Sequence, residues 1–404
     1  MTTTDIDLPE FPLARRAPFD PPAAYARLRD EAPVTRALMP GGRPVWLISG
    51  HENVRRILAD PRVSSDRTRA GFPMIVQVSP EQLKKSLSFG RSLIGSDPPE
   101  HTAQRRMVIT EFTVRRVQAL RPRIEEIVNE RIDAMLAGDR PADLVKALAL
   151  PVPSLVICEL LGVPYEDRDF FQERTKRLLR RSSGQAEREA ASNELTGYFD
   201  ELITAKSADP GDDLLSRLIA RNRETEVFSH DLLVGLATLL LVAGHETTAN
   251  VIALGTLALL EHPDQLAALT ADPESVPAAV EEMLRYLNIV EAGFRVATAD
   301  IEIAGTVIRA GEGLVALAAS ANRDDSAFGH SGVFDIARGA RHHVAFGYGI
   351  HQCLGQNLAR MELDVVFRNL FRRIPGLHLA IPVADLPFKA DSFVYGVHEL
   401  PVTW

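Results

Sequence analysis

A mainly α-helical fold with small peripheral β-sheets is the class that this sequence of 404 residues predicts. From residue 101 to about residue 260 apolar side chains recur at helical spacing, and only short stretches with Gly and Pro interrupt them. Strand-like runs lie on either side of this helical part, between glycine and proline signals. Because no stretch has the composition of a linker, residues 1–404 are expected to form one domain.

Three features stand out before the helical body. Two β-prone runs, Val34–Leu38 and Pro44–Ile48, flank a Pro-Gly-Gly sequence and predict a hairpin. Residues 61–96 are irregular but carry scattered apolar side chains, which is typical of a lid over a ligand site. Residues 1–22 are proline-rich and acidic and indicate an arm on the surface.

Short elements elsewhere follow the same signals. Helices are predicted at 23–31 and 51–59. Strands are predicted after the helical body at 294–298, 301–303, 306–308, 314–317, 377–381 and 393–397.

Composition and charge argue against several classes of function. The formal net charge of −9 argues against nucleic acid as the main partner, because phosphate binding needs clustered Lys and Arg. The N-terminus lacks a signal-peptide pattern, and the longest apolar run, 232–243, is shorter than the roughly 20 residues that span a bilayer. Only two cysteines are present, so no disulfide framework is expected. A cytoplasmic protein without a membrane anchor is the expectation.

The segment around Cys353 carries the strongest chemical signal in the chain. Gly347 and Gly349 precede the cysteine and predict a tight loop whose backbone can approach a flat ligand closely. Apolar residues recur at helical spacing after the cysteine, so Cys353 is expected next to a helix N-terminus. The backbone N–H groups there would stabilise a thiolate and lower the pKa of the cysteine, which makes the sulfur a good metal ligand or nucleophile.

Three other roles for Cys353 are compatible with the residues alone. Most cysteines in intracellular proteins are inert core residues, although a core position needs neither the flanking glycines nor the nearby His351. A zinc site would need further ligands, and His342 and His343 do not complete a usual zinc spacing. A thiol-nucleophile enzyme could pair Cys353 with His351, but a histidine two residues away rarely has the geometry of a base.

The segment around the cysteine reads Phe346-Gly347-x-Gly349-x-His351-x-Cys353-Leu354-Gly355. It resembles the haem-binding signature of the cytochromes P-450, the haem-thiolate monooxygenases, and in particular of their soluble bacterial, actinomycete-like members. The resemblance implies haem b with the Cys353 thiolate as axial ligand of the iron, and Phe346, Gly347 and Gly355 as further haem-binding residues. It also implies the triangular-prism fold of that family.

The resemblance implies an activity and partners as well. The activity is insertion of one oxygen atom of O2 into a hydrophobic small molecule, by hydroxylation or epoxidation, in secondary metabolism or on a xenobiotic. Electrons would come from a soluble ferredoxin and its reductase, and a monomer is expected. A non-catalytic haem-thiolate sensor of a gas or another ligand is the alternative.

A polar cluster at 243–250, Ala-Gly-His-Glu-Thr-Thr-Ala-Asn, follows the apolar run. Because a helix that is apolar all round is buried, polar groups there are costly, about 1–3 kcal/mol each when unpaired, and indicate function. Threonines in such a helix often donate to a carbonyl one turn earlier, which is the structural alternative. The family resemblance implies an oxygen-activation segment, in which Ala243 contacts haem and Gly244 leaves room for O2. Thr247 would then hydrogen-bond bound oxygen, and Glu246 would connect a proton relay to solvent.

An acid and an arginine, Glu282 and Arg285, stand three residues apart in a predicted helix. Alone, such a pair is usually a surface ion pair worth a few tenths of a kcal/mol. The family resemblance implies instead that the pair locks this helix to the segment before the cysteine loop, in a structural role.

Four basic residues are candidates for the haem propionates, which need cations or hydrogen-bond donors. His101 and Arg105 lie four residues apart and therefore on one helix face. The resemblance implies that these two, with Arg295 and His351, contact the propionates. The alternative for each is an ordinary surface cation.

The substrate pocket is expected to be lined mainly by apolar residues and to suit a hydrophobic molecule of moderate size. By their positions relative to the family motifs, the candidate lining residues are Phe72, Ile94, Leu239, Val290, Phe294, Phe393 and Val394.

Overall fold

The computed structural model describes residues 9–15, 18–76 and 92–404, which form a helical body with three small sheets at its edges. This confirms the mainly α class. The described helices are α1 Ala24–Glu31, α2 His51–Ala59, α3 Glu100–Ile109, α4 Val114–Ala137, α5 Pro151–Leu161, α6 Arg168–Leu179, α7 Gln185–Ala208, α8 Leu214–Thr225, α9 His230–Glu261, α10 Pro263–Ala271, α11 Val276–Leu287, α12 Ala318–Ala321, α13 Asp325–Phe328 and α14 Gln356–Arg373.

The sheets join parts of the chain that are far apart in sequence. The largest has the strand order β1-β2-β8-β5-β3, and the others have the orders β4-β10-β9 and β6-β7. Distant parts of the chain are joined in two places: β2 pairs with β8 in parallel, and β4 pairs with β10 near the C-terminus. The strands are β1 Val34–Leu38, β2 Pro44–Ile48, β3 Val63–Ser64, β4 Ala142–Asp143, β5 Gly293–Ala297, β6 Ile301–Ile303, β7 Thr306–Ile308, β8 Gly313–Ala316, β9 His378–Leu379 and β10 Pro401–Thr403.

Helix α9 runs through the centre of the body. It begins after Ser229, whose hydroxyl accepts a hydrogen bond from the N–H of Leu232 at 3.3 Å, the usual role of an N-cap serine. Its residues are buried on nearly every side, and it packs against α5, α7, α11 and α14. The helix is long and apolar enough to cross a membrane, but most of its apolar stretch is covered by other parts of the protein. It is therefore a core helix.

The largest hydrophobic cluster surrounds this helix. It includes side chains from Phe19 near the start of the chain to Val402 in β10. Helix α14, which follows the cysteine loop, packs against α4 and α11 in the same cluster. The cysteine loop is thereby anchored to the core on its C-terminal side.

Most of the predicted elements are observed, and one strand prediction is wrong. The hairpin of β1 and β2 and the strands β6 and β7 have the predicted bounds. Residues 393–397 were predicted as a strand, but their N–H groups at Phe393 and Tyr395 donate instead to the carbonyls of Leu179 and Ile289. The predicted lid, 61–96, includes residues 77–91, which lie outside the described residues.

Candidate active site

The cysteine loop, residues 346–353, is a tight turn just before α14, as predicted. Gly347 and Gly349 have φ values of +70° and +74°, a region that favours glycine. A Cβ on Gly349 would lie 2.5 Å from the carbonyl oxygen of Leu58, so this glycine is also required by close packing on α2. The N–H of Cys353 donates to the carbonyl of Phe346 at 2.8 Å, which closes the turn.

The predicted pKa direction for Cys353 is wrong. Burial raises the pKa of the Cys353 thiol, while a hydrogen bond from the N–H of Gly355 and the charges of Arg105 and Arg360 act in the opposite direction. Backbone donors at the start of α14 favour the thiolate, but the loss of solvent disfavours the charged form and has the larger effect. A thiolate here therefore calls for a strong positive partner such as a metal ion, which deprotonates a coordinating thiol.

A cluster of basic side chains lies beside the cysteine loop. The rings of His101 and His351 are 4.2 Å apart between centroids, and Arg105 donates to the carbonyl of Gln352 at 2.7 Å. Burial and the neighbouring cations, Arg295 first among them, lower the pKa of His351 to about 3. Burial also lowers the pKa of Arg295 to about 10. The structure thus brings together all four predicted propionate-binding residues.

The cluster has more positive than negative charge, which fits an anionic ligand. Arg67, which the sequence analysis missed, is close enough to Arg295 to lower its pKa. The neighbouring carboxylate of Asp97 accepts hydrogen bonds from the Ser64 hydroxyl at 2.5 Å and the Ser65 N–H at 2.9 Å. Both ring nitrogens of the buried His101 have no hydrogen-bond partner among the described residues. The residues present therefore suit the two carboxylates of a haem.

The Glu282–Arg285 pair is a fully buried ion pair. Arg285 donates to both carboxylate oxygens of Glu282, at 2.6 and 2.7 Å. It also donates to the carbonyls of Asn322 at 2.7 Å and Ser331 at 2.8 Å, and Arg338 approaches Glu282 to 3.3 Å. The surface alternative is therefore excluded, and the pair ties α11 to the segment before the cysteine loop.

A second ion-pair cluster joins the same helix to α14. Arg360 donates to both carboxylate oxygens of Glu281, at 2.6 and 3.0 Å, and His343 lies 3.2 Å from it. Burial acts to raise the pKa of Glu281, but the close approach of His343 and the hydrogen bonds from Arg360 outweigh it and lower the pKa to about 2. The side chain of Phe346 lies under the Arg360 guanidinium, 4.6 Å from ring centroid to charge. These contacts fix the loop from its other side.

The polar segment of α9 shows two contacts that bear on its predicted roles. The Thr247 hydroxyl donates to the carbonyl of Ala243 at 2.7 Å, so the back-bond to the preceding turn is present. A Cβ on Gly244 would lie 2.8 Å from the side chain of Ile157 in α5. Close packing of α9 against α5 therefore requires a glycine at position 244. The role predicted from the sequence was to leave space for O2.

Glu246 has a partner that the sequence analysis did not find. Lys389, near the C-terminus, forms an ion pair with it and also donates to the side-chain oxygen of Asn250 at 2.9 Å. Lys389 is a single basic residue in a loop, and no sequence pattern predicts its contact with Glu246. Arg67 and Arg338 are also single basic residues outside any motif, so the sequence did not predict their roles either.

A cavity of about 780 Å³ lies over the cluster of basic residues and the polar segment of α9. Ala243, Thr247, Arg67 and Arg295 are in its wall. All seven predicted pocket residues also line it, namely Phe72, Ile94, Leu239, Val290, Phe294, Phe393 and Val394. The wall also has a polar part that was not predicted. It includes Gln185, Ser192 and Asn193 of α7 and the carboxylate of Glu291.

Comparison with known proteins agrees with this geometry. The family model described as Cytochrome P450 matches residues 24–276 and 274–374. Pentalenic acid synthase from Streptomyces avermitilis is 51% identical over 394 residues, which cover 98% of this chain and 97% of that protein. The 20-oxo-5-O-mycaminosyltylactone 23-monooxygenase of Streptomyces fradiae is 49% identical over 98% of this chain and 92% of that protein.

Solved structures agree as well. The mycinamicin VIII C21 methyl hydroxylase MycCI from Micromonospora griseorubida, bound to mycinamicin VIII, has a TM-score of 0.93 and 45% identity, and the match covers 98% of this chain and 100% of that one. Cytochrome P450 MoxA from Nonomuraea recticatena has a TM-score of 0.89 and 55% identity, with 98% of each chain covered.

The fold and the site therefore define a haem-thiolate enzyme. The chain belongs to the cytochrome P450 family, in its soluble bacterial form. It is an oxidoreductase that incorporates one atom of O2 into its substrate, and its cofactor is haem with a cysteine thiolate as axial ligand. The thiol-nucleophile and sensor alternatives are set aside by this membership.

Proposed function

We propose that Cys353 is the thiolate ligand of the haem iron, with Phe346, Gly347 and Gly355 forming the loop around it. The other cysteine, Cys158, is buried in the hydrophobic core on α5. Cys353 is half-buried and stands in the turn beside the basic cluster. This contrast supports the assignment. When bound, the haem supplies the iron at which O2 is activated.

His101, Arg105, Arg295 and His351 are proposed to hold the two haem propionates. Their support is the excess of buried positive charge and the two ring nitrogens of His101 without a protein partner. Arg67 is a fifth candidate, because it faces Arg295 and lines the cavity. Charge-assisted hydrogen bonds from these groups would orient the cofactor in its site.

Thr247 and Glu246 are proposed to deliver protons during oxygen activation, with Ala243 against the haem. The observation that carries this proposal is the placement of Ala243 and Thr247 in the cavity wall, while Glu246 lies one residue further back on α9. The reaction consumes protons, because one oxygen atom leaves as water. A threonine hydroxyl is a weak acid, so Thr247 orients the donor and Glu246 carries the proton.

Replacing Thr247 with alanine tests this role. We expect the fraction of consumed O2 that is released as hydrogen peroxide to rise by about tenfold, which is less than the roughly 100-fold or more that a positioned proton donor contributes to a rate. Oxygen consumption and peroxide are measured with a ferredoxin, its reductase and NADPH. The matched control is Thr256→Ala, because Thr256 makes the same back-bond to Ile252 at 2.8 Å in the buried part of α9. An equal peroxide fraction in both variants would remove Thr247 from the relay.

The substrate is proposed to be a hydrophobic small molecule that is hydroxylated or epoxidised. The cavity wall is mainly apolar, with Leu239, Phe294 and Val394 among its residues. Two similar proteins have titles that name a bound compound, mycinamicin VIII in one and filipin I in the other. A compound of secondary metabolism or a xenobiotic is therefore the class to screen.

A soluble ferredoxin and its reductase are proposed as the electron source. Arg106 is exposed on α3, next to the Arg105 of the haem cluster, and is suited to contact an acidic partner. Arg106→Glu is expected to slow the first electron transfer more at low salt than at high salt, because salt screens charge pairs beyond about 8–10 Å. Stopped-flow reduction at two ionic strengths measures this. The control is Arg27→Glu on α1, and equal rates for both variants would exclude Arg106 from the interface.

We further infer a cytoplasmic monomer with one domain. One hydrophobic cluster includes residues from Phe19 to Val402, which supports a single domain. Both cysteines are free thiols, as in a reducing compartment. The exposed large apolar side chains of the described residues lie on separate elements, such as Ile109 on α3 and Val307 on β7. Scattered residues of this kind need no partner subunit.

A further inference from the structure

Residues 388–397, here called the C-terminal cavity loop, contact both the cavity and helix α9. Phe388, Phe393 and Val394 of this loop line the cavity. The loop is closed by the N–H of Lys389, which donates to the carbonyl of Gly396 at 2.8 Å. Lys389 is also in the cavity wall, so it belongs to the same small unit as the residues that face a bound substrate.

Lys389 connects this loop to the polar segment of α9. Its ammonium group forms an ion pair with Glu246 and donates to the Asn250 side-chain oxygen at 2.9 Å. The side-chain amide of Asn250 in turn donates to Glu246 at 3.4 Å. A Cβ on Gly396 would overlap the Asn250 side chain, so the loop backbone also lies directly against α9.

The ion pair is largely removed from solvent. The side chains of Glu246 and Lys389 are 16% and 12% exposed. Two histidines also face the pair, but burial lowers the pKa of His245, and partial burial with the nearby cations Lys389 and Lys176 lowers the pKa of His398. Because both histidines are then neutral near pH 7, Lys389 supplies the positive charge in contact with Glu246. Limited solvent access makes this pair stronger than a surface pair.

We propose that Lys389 is a positioning residue for proton delivery, holding the Glu246 carboxylate where it can take protons from solvent and pass them toward Thr247. This inference rests on the proposed role of Glu246 in the relay. A coupled turnover consumes O2, two electrons from the ferredoxin and two protons, and one oxygen atom enters the substrate while the other leaves as water. An uncoupled turnover uses the same two electrons and two protons to release O2 as hydrogen peroxide. Misplacing Glu246 therefore diverts oxygen to peroxide.

The test uses variants of Lys389 in the haem-loaded protein. Lys389→Met removes the charge at similar length, Lys389→Arg keeps it, and Lys389→Gln replaces the methionine variant if that protein does not fold. Lys176→Met is the matched control, because Lys176 is an exposed lysine whose charge reaches His398. The peroxide fraction of consumed O2 and the solvent deuterium isotope effect on oxygen consumption are measured for each.

We expect the peroxide fraction to rise by about threefold or more in Lys389→Met. One charge-assisted hydrogen bond changes an equilibrium by roughly tenfold or more, and threefold is a smaller change than that. The isotope effect should increase with it. Lys389→Arg and Lys176→Met should stay close to the wild type. In a Glu246→Gln background, Lys389→Met should add nothing, because it acts through the carboxylate.

A structural measurement on the resting protein accompanies these assays. Hydrogen exchange of the amides at 388–396 should become faster in Lys389→Met and stay at the wild-type rate in Lys389→Arg, since the ion pair holds the loop against α9. Unchanged exchange in Lys389→Met, together with an unchanged peroxide fraction, would overturn the inference.

These outcomes distinguish the role of Lys389 from the proposed role of Glu246 in the proton relay. If Glu246→Gln is uncoupled but Lys389→Met is not, the relay stands and the role of Lys389 is overturned. An effect of Lys389→Met that adds in full to that of Glu246→Gln also overturns it. If Glu246→Gln itself leaves coupling unchanged, the proposed relay is wrong and this inference is wrong with it.

Discussion

Replacing Cys353 with serine is expected to abolish monooxygenase activity. A serine hydroxyl cannot supply the thiolate that donates electron density to the iron and favours cleavage of the O–O bond. The strongly red-shifted absorption band of the reduced, carbon monoxide-bound protein should disappear with the activity. The measurement is the absorption spectrum, recorded ferric and then reduced under carbon monoxide.

Cys158→Ala is the matched control for this experiment, because it removes the other thiol. Cys158 lies in the hydrophobic core on α5, so its loss should lower the free energy of unfolding slightly and leave the absorption band in place. The assignment of Cys353 would be refuted if Cys353→Ser kept the band. Loss of the band in Cys158→Ala, with the haem still bound, would identify Cys158 as the ligand instead.

Replacing Arg285 with methionine is expected to lower the free energy of unfolding by about 3–5 kcal/mol, the usual cost of breaking a buried ion pair. Glu282 would stay buried with Arg338 and the N–H of Asp335 as its remaining described partners, and the carbonyls of Asn322 and Ser331 would lose the Arg285 donor. Because those carbonyls belong to the segment before the cysteine loop, haem should also be lost at lower denaturant concentration. Urea unfolding, followed by circular dichroism and by haem absorbance, measures both effects.

Arg27→Met provides the contrast for the buried pair. Arg27 and Glu31 on α1 are 77% and 69% exposed and 3.8 Å apart, so breaking that pair should cost less than about 1 kcal/mol. Glu282→Leu combined with Arg285→Met should recover only part of the loss, because removing the unpaired carboxylate does not restore donors to the carbonyls. A cost for Arg285→Met as small as that for Arg27→Met would contradict the structural role of the pair.

Local sequence was enough to predict the cysteine loop and several elements. The turn depends on Gly347 and Gly349, whose positive φ values are a property of the residues themselves. The hairpin of β1 and β2 has its predicted bounds because the alternation of its residues and the Pro-Gly-Gly turn lie close together in the chain. Such features need no information from distant parts of the chain.

Segments whose hydrogen bonds are made elsewhere were not predictable in this way. Residues 393–397 have the composition of a strand, yet they donate to Leu179 and Ile289 rather than to a neighbouring strand. The strands β4 and β10, which were not predicted, are only two and three residues long, and they form by pairing: β4 with β10, and β10 also with β9. Strand propensity is a weak guide where tertiary neighbours decide the pairing.

The sequence by itself determined the order of the motifs, the tight loop at Cys353 and a central helix with a polar segment, since each depends on residue types at short spacing. Only the tertiary structure decided that Lys389 pairs with Glu246 across 143 positions, and that Arg67 joins Arg295 in the basic cluster. It also decided that burial raises the pKa of Cys353. The physical reason is the same in each case: solvent exclusion and contacts between distant residues act only after the chain has folded, and they leave no periodic pattern in the sequence.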